Sequence, residues 1–172
     1  MNNITINSNS NDIKEMEKLF PRAPLKIIAM EGCKELGQKV NDYIVNFRQS
    51  SYREELKSPM YATYLQDNYL VDAHCPRFGS GEAKGVLNES VRGKDLFIMT
   101  DVCNYSLTYS VNGYVNHMSP DDHYQDLKRL ISAANGKEHR LNIIMPFLYE
   151  SRQHRRSSRE SLDCALALQE LT

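Results

Sequence analysis

The sequence lacks any long hydrophobic run, and it also lacks a secretory leader. None of its apolar stretches approaches the roughly 18 consecutive apolar residues that a membrane-spanning helix needs. The N-terminal stretch MNNITINSNSND has neither the positively charged segment nor the apolar segment of a signal peptide. We therefore expect a cytoplasmic protein that has no membrane as a partner.

An excess of charge of one sign is also lacking. The 172 residues have a formal net charge of -1, and 25% of them are charged. A protein that coats a polyanion carries a positive excess over much of its surface. This balance argues against a general nucleic-acid-binding protein, so any positive potential must be local. The length suits a single domain with one core.

Cysteine is sparse and is not arranged in pairs. The chain has four cysteines, Cys33, Cys75, Cys103 and Cys164, with no CxxC spacing among them. A disulfide framework or a zinc site needs closer and more regular spacing. We expect four reduced thiols.

What is present is a pattern of short apolar runs alternating with helical periodicity. The runs at 25–30, 95–100 and 141–145 are typical of buried parallel strands. Residues 1–20 are rich in Asn and Ser and are expected to form a flexible tail, with one domain over 21–172. The stretch 49–66 is ambiguous and is interpreted as an excursion from the core.

Two helices are predicted between these strands. A helix over 33–48 places five apolar side chains on one face, namely Leu36, Val40, Tyr43, Ile44 and Phe47. A second helix begins after Ser119 and ends at Gly136, with a buried stripe formed by Tyr124, Leu127, Leu130, Ile131 and Ala134. Strand, helix and strand in this order predict an α/β fold with a mainly parallel sheet flanked by helices.

An accessory β-hairpin is predicted before the second of those strands. The runs NYLVDAHC and AKGVLNES are strand-like, and PRFGSGE, residues 76–82, joins them with turn residues. Gly79 and Gly81 would let backbone N–H groups approach a ligand closely.

The stretch HMSPDDH, residues 117–123, offers two explanations. His117, Asp121, Asp122 and His123 are possible metal ligands. A helix N-terminus explains the same letters without an ion, because Ser119 is a good N-cap and the two Asp side chains favour the positive end of the helix dipole. We favour the cap and predict no protein metal site.

The most conspicuous charge pattern is SRQHRRSSRES, residues 151–161, with four arginines within eight residues. It follows the strand at 141–145, where ligands of open α/β sheets bind. Three explanations remain open from the residues alone: a phosphate clamp, a solvated basic loop and a nucleic-acid contact. Arg152, Arg155 and Arg156 could present planar donor forks to phosphate oxygens.

Two ordered motifs resemble one family. RFGSGEAKGVLNESVRGKDLFIM, residues 77–99, is similar to the pattern of ribose-phosphate pyrophosphokinases, in which R-F-S-D-G-E precedes a strand, N-E-N-V-R-G and a further strand. PFLYESRQHRRSSR resembles the same family's P-Y-x-x-Y-A-R-Q-D-R-R. The resemblance covers about 25–172, with extra segments near 49–66 and 103–118, and corresponds to the N-terminal half of a family member.

The resemblance implies a type I phosphoribosyltransferase-like fold and a transferase of nucleotide biosynthesis. Such a kinase moves the diphosphoryl group of ATP to ribose 5-phosphate with Mg²⁺, and it works as a homo-oligomer. The implied ATP-binding residues are Phe78, Ser80, Gly81 and Glu82 in a loop that reaches a neighbouring subunit, and Arg152 and Gln153, with possible support from Arg155 and Arg156.

The sequence departs from the family pattern in three respects, and the first two favour an alternative function. Ser80 replaces the family's acid in S-D-G-E, and His154 replaces the acid after R-Q. The family's D-L-H-A stretch, catalytic lysine and D-D-x-x-D-T-G-G-T loop do not occur in these residues, so catalytic residues are expected in a C-terminal half absent from this chain. The alternative is a non-catalytic regulatory relative that binds nucleotide or a catalytic partner.

Overall fold

The computed structural model describes residues 22–50 and 63–172. The predicted tail at 1–20 and most of the predicted excursion at 49–66 lie outside these residues. The elements are β1 (Leu25–Ala29), α1 (Lys34–Ser50), β2 (Ala73–His74), β3 (Val86–Leu87), β4 (Asp95–Met99), β5 (Thr108–Val111), β6 (Tyr114–His117), α2 (Pro120–Ala134), β7 (Arg140–Ile144) and α3 (Asp163–Glu170). Single 3-10 turns lie at Glu31–Cys33 and Ser151–Gln153.

The central sheet is parallel, as the apolar runs predict. Its strand order is β1-β4-β7, with Ile28 opposite Ile98 and Ile98 opposite Ile143. Two antiparallel hairpins, β2–β3 and β5–β6, extend from it. The predicted α/β class and the accessory hairpin are confirmed, and β5–β6 is a second hairpin within the predicted extra segment.

Alternate residues of β1 and β4 enter two different core clusters. Ile28, Leu96 and Ile98 pack in one cluster with Leu127 and Leu130 of α2. A second cluster joins Ile27, Met99 and Tyr69 to Val40 and Ile44 of α1. Because side chains of a strand alternate between its two faces, α1 and α2 cover opposite faces of the sheet.

The predicted stripe of α1 is only partly the packed face. Leu36, Tyr43 and Phe47 are 48%, 71% and 54% exposed, whereas Val40 and Ile44 pack against the sheet. The sheet also meets the neighbouring face, where Gly37 lies against Ala29 and Asn41 accepts a 2.8 Å hydrogen bond from the Tyr69 N–H. Helix α1 and strand β1 lie so close together at Gly37 that a larger side chain would not fit there.

Helix α2 begins and ends as its sequence predicts. Ser119 and Asp122 form a reciprocal capping box, with the Ser119 N–H donating to Asp122 Oδ2 over 2.9 Å. Asn135 closes the helix in the left-handed conformation, with a φ of 59°. His117 and His123 each contact a backbone carbonyl, of Tyr105 and Asn104 respectively. The cap therefore explains this stretch, as predicted.

All four cysteines are free thiols, as predicted. In the parts of the chain that the structure describes, no helix combines the length and the apolarity needed to span a membrane.

Hairpin β2–β3 lies so close to α2 that one side chain carbon would not fit between them. A Cβ added to Gly85 would lie 2.4 Å from the Arg129 carbonyl oxygen. We expect Gly85→Ala to lower the free energy of unfolding by about 1–3 kcal/mol, the usual cost of overpacking. Urea denaturation measures it. Gly79→Ala, where the nearest atom would be 3.9 Å away, is the matched control on the same hairpin. Equal losses in the two variants would contradict the packing argument.

Candidate functional site

The loop between β2 and β3 forms the first part of the candidate site. It is closed by a 2.7 Å hydrogen bond from the Phe78 N–H to the Glu82 carbonyl and a 2.9 Å bond from the Gly81 N–H to the Phe78 carbonyl. Gly81 has a φ of +92°, which favours glycine. The Phe78 ring is 51% exposed. The Ser80 hydroxyl donates to Glu82 Oε2 over 2.8 Å, so the carboxylate is held within the loop.

Arg77, at the start of this loop, attaches the loop to α2. Its guanidinium makes two hydrogen bonds, 3.0 and 2.8 Å long, to the Asp126 carboxylate of α2. Arg129 bonds the same carboxylate over 2.6 Å. The side chains of Arg77 and Asp126 are only 9% and 8% exposed. On its other side the guanidinium lies 4.7 Å from the centre of the Tyr109 ring in β5. One buried arginine thus joins both hairpins to α2.

Sequence reasoning missed Arg77, Tyr109 and Asp126 as parts of the site. Asp126 carried a signal, because it is an acidic residue beside the apolar stripe of α2 and buried acids need a partner. The identity of that partner had no local signal, since Arg77 is 49 residues away.

Burial dominates the electrostatics at this anchor. It raises the pKa of Asp126, while Arg129 and Arg77 act in the opposite direction. Burial also raises the pKa of the neighbouring Cys75 thiol to about 12, and the Asp126 charge adds to the effect. Both effects favour the protonated thiol over the thiolate, which is the nucleophilic form of cysteine.

The segment after β7 forms the second part of the site. The Tyr149 ring stacks on Tyr124 with ring centres 4.2 Å apart, and its hydroxyl donates to Asp121 over 2.7 Å. Desolvation and the Asp121 hydrogen bond raise the pKa of Tyr149. Glu150 then adopts a φ of 53° and starts the 3-10 turn that contains Arg152. Fixed packing at Tyr149 thus sets where the basic segment leaves the sheet.

The Arg152 side chain is exposed and borders a cavity of about 300 Å³. The cavity lies where β4 and β7 end and α2 begins, and its lining includes Cys103, Pro120, Phe147 and Tyr149. Arg155 and Arg156 are exposed too. Gln153 is half-buried and donates to the Ser161 carbonyl over 3.2 Å. Within 22–50 and 63–172, no carboxylate pairs with Arg152, Arg155, Arg156 or Arg159.

The two parts do not share this cavity. Its lining includes Arg152, but none of Phe78, Ser80, Gly81 or Glu82. The lining of this cavity therefore gives a ligand held by Arg152 no contact with these four loop residues. This agrees with the prediction that the loop acts in a neighbouring subunit, which stays a prediction.

Comparison with known proteins decides the family. The family model for the N-terminal domain of ribose phosphate pyrophosphokinase matches residues 25–172. The chain belongs to this family. A pyrophosphokinase relative, ribose-phosphate pyrophosphokinase B of Dictyostelium discoideum, is 31% identical over 91 residues, which are 52% of this chain and 24% of that protein.

The fold of this domain has a solved counterpart. Phosphoribosylpyrophosphate synthetase from Mycobacterium smegmatis superimposes with a TM-score of 0.55 at 19% identity, over 86% of this chain and 38% of the other. The likeness supports the phosphoribosyltransferase-like fold. The chain spans well under two thirds of either relative.

Proposed function

We propose that this domain is the N-terminal half of a ribose-phosphate pyrophosphokinase. The reaction transfers the β,γ-diphosphoryl group of ATP to the anomeric hydroxyl of ribose 5-phosphate. The hydroxyl oxygen forms a bond to the β-phosphorus and its proton is released to water. The bond between the β-phosphorus and the α,β-bridging oxygen breaks, and AMP leaves with that oxygen. The products are phosphoribosyl pyrophosphate and AMP.

One observation supports this proposal above the others. Arg152 is exposed, has no carboxylate partner among the described residues and borders a cavity at the carboxyl ends of β4 and β7. Ligands of open α/β sheets bind at that edge. Phosphoryl transfer is catalysed mainly by positioning and charge neutralisation, for which an arginine fork suits polyphosphate oxygens.

The remaining predicted residues take roles around this arginine. Phe78 would stack on the base, with Ser80, Gly81 and Glu82 beside it. Gln153, Arg155 and Arg156 would support the polyphosphate. We propose that the loop of one copy completes the site of another, so the protein works as a homo-oligomer in the cytoplasm.

Magnesium enters the proposal together with ATP, where it neutralises polyphosphate charge. The portion of the chain described by the structure has no group of three or more His, Cys, Asp or Glu side chains placed to hold a metal ion. Mg²⁺ typically keeps its waters and binds phosphates with few protein ligands. We therefore propose that the metal is held mainly by the ATP phosphates, and that Arg152 positions the same phosphates.

The second candidate is a regulatory relative, which the Ser80 and His154 departures favour. The experiment follows ATP, Mg²⁺ and ribose 5-phosphate by phosphorus NMR with the protein in its natural length, and ATP binding by calorimetry. Phosphoribosyl pyrophosphate and AMP appearing in equal amounts would support the enzyme. ATP binding without turnover would favour the regulatory relative, and an absence of both would refute both proposals.

A further inference from the structure

Hairpin β5–β6 packs on the loop proposed to hold the base. A Cβ added to Gly81 would lie 3.7 Å from Val111, and one added to Gly79 would lie 3.9 Å from Asn112 Oδ1. Tyr109 lies over the Arg77 guanidinium at the foot of the same loop. The hairpin therefore lies alongside the loop from Arg77 to Gly81, and the two form one continuous surface.

The tip of the hairpin offers an amide at that surface. Asn112 and Gly113 have φ values of 51° and 82°, the two positive angles of a type I′ turn. The Asn112 side chain is exposed, and no hydrogen bond joins its amide to any other residue that the structure describes. The tight turn fixes its backbone, so the amide is held beside the loop and remains available to a ligand.

The loop itself has no acidic side chain at position 80 to bind the base. Ser80 stands where the family resemblance places an acid, and its hydroxyl is engaged with Glu82. A side-chain amide both donates and accepts, so Asn can bind the N7 and N6 positions of adenine together. Guanine presents acceptors at N7 and O6, and an amide can satisfy only one of them with its NH₂ group.

We propose that Asn112 reads the base of the bound nucleotide and selects adenine over guanine. Its Nδ2 donates to adenine N7 and its Oδ1 accepts from the N6 amino group, while the exposed Phe78 ring supports the face of the base. This inference rests on the proposed function, since it concerns the base end of the same nucleotide site.

The test compares ATP with GTP by calorimetry, each with Mg²⁺, on the chain as it assembles in solution. Asn112→Gly keeps the positive φ and removes the amide. Asn112→Asp also tolerates the turn but removes the donor. We expect each variant to lower the ATP-to-GTP affinity ratio about tenfold. Asn135→Gly is the matched control, because Asn135 has a φ of 59° at the end of α2. It should leave the ratio unchanged.

The outcomes separate this inference from the function on which it rests. A tenfold loss of the ratio in both Asn112 variants, with folded protein by circular dichroism, supports base reading by Asn112. An unchanged ratio, with ATP still bound, overturns the inference and leaves the proposed function standing. If the unaltered chain binds neither nucleotide, the proposed function fails and the role of Asn112 fails with it.

Discussion

Replacing Asp126 with asparagine is expected to lower the free energy of unfolding by about 3–5 kcal/mol, the usual cost of breaking a buried ion pair. The substitution leaves Arg77 without its bidentate partner and Arg129 without its 2.6 Å contact. Arginine cannot lose its proton at any ordinary pH, so a buried positive charge would remain uncompensated. Typical domains are stable by only about 5–15 kcal/mol, which makes this loss a large fraction of the total.

Urea denaturation of the purified chain measures the loss. Glu170→Gln is the control, since it removes an ion pair with Lys128 in which Glu170 is 52% exposed, and exposed pairs contribute less than about 1 kcal/mol. We also expect Asp126→Asn to loosen the 77–82 loop, because Arg77 would lose the contact that holds it over Tyr109. Loss of stability no greater than that of Glu170→Gln would contradict a buried anchor.

Replacing Arg152 with alanine is expected to reduce turnover by about 10²–10³-fold, the range found when one preorganised donor to a transition-state charge is removed. The prediction rests on the proposed function. Arg152 is exposed at the carboxyl edge of the sheet, where its fork can bind two phosphate oxygens. Arg152→Lys keeps the charge but loses the planar donor fork, so its turnover should lie between that of the unaltered protein and that of Arg152→Ala. Phosphorus NMR of phosphoribosyl pyrophosphate formation by the protein in its natural length gives the rates.

Arg159→Ala is the matched control for Arg152. It removes one charge from the same basic segment at a position with no predicted role at the nucleotide. If the segment acted only as a diffuse positive patch, the two alanine variants would weaken ATP binding equally, and both effects would fall steeply with salt. Equal effects would therefore refute the clamp, whereas a loss confined to Arg152 would support it.

Much of the scaffold could be predicted because its signals are local. The strands at 25–29 and 95–99 are apolar except for Lys26 and Asp95, and such near-continuous apolar runs are typical of parallel strands covered on both faces. Helix α2 has its N-cap, its first-turn proline and its left-handed end within a single stretch of sequence. Hairpin β5–β6 also has a local signal, since Asn112–Gly113 is a typical type I′ pair, although the hairpin was not predicted.

The candidate site was also only partly predictable from local sequence. The two motifs placed the loop at 77–82 and the basic segment at 151–156 from residue identity alone. Neither motif could indicate that the loop is anchored through Asp126, or that Asn112 lies beside Gly79. Those contacts join residues that are about 30 to 50 positions apart in sequence, and pairing at such distance depends on how the hairpins pack on α2.

The sequence by itself determined the family, the succession of the three central strands with the two helices between them, and the ends of α2. Each of these depends on neighbouring residues and on backbone preferences. Only the tertiary structure decided which face of α1 is buried, which carboxylate neutralises Arg77 and which side chain lies beside Gly79. Those three outcomes depend on close packing and on the cost of burying charge without a partner. Both are properties of surfaces that exist only after the chain has folded.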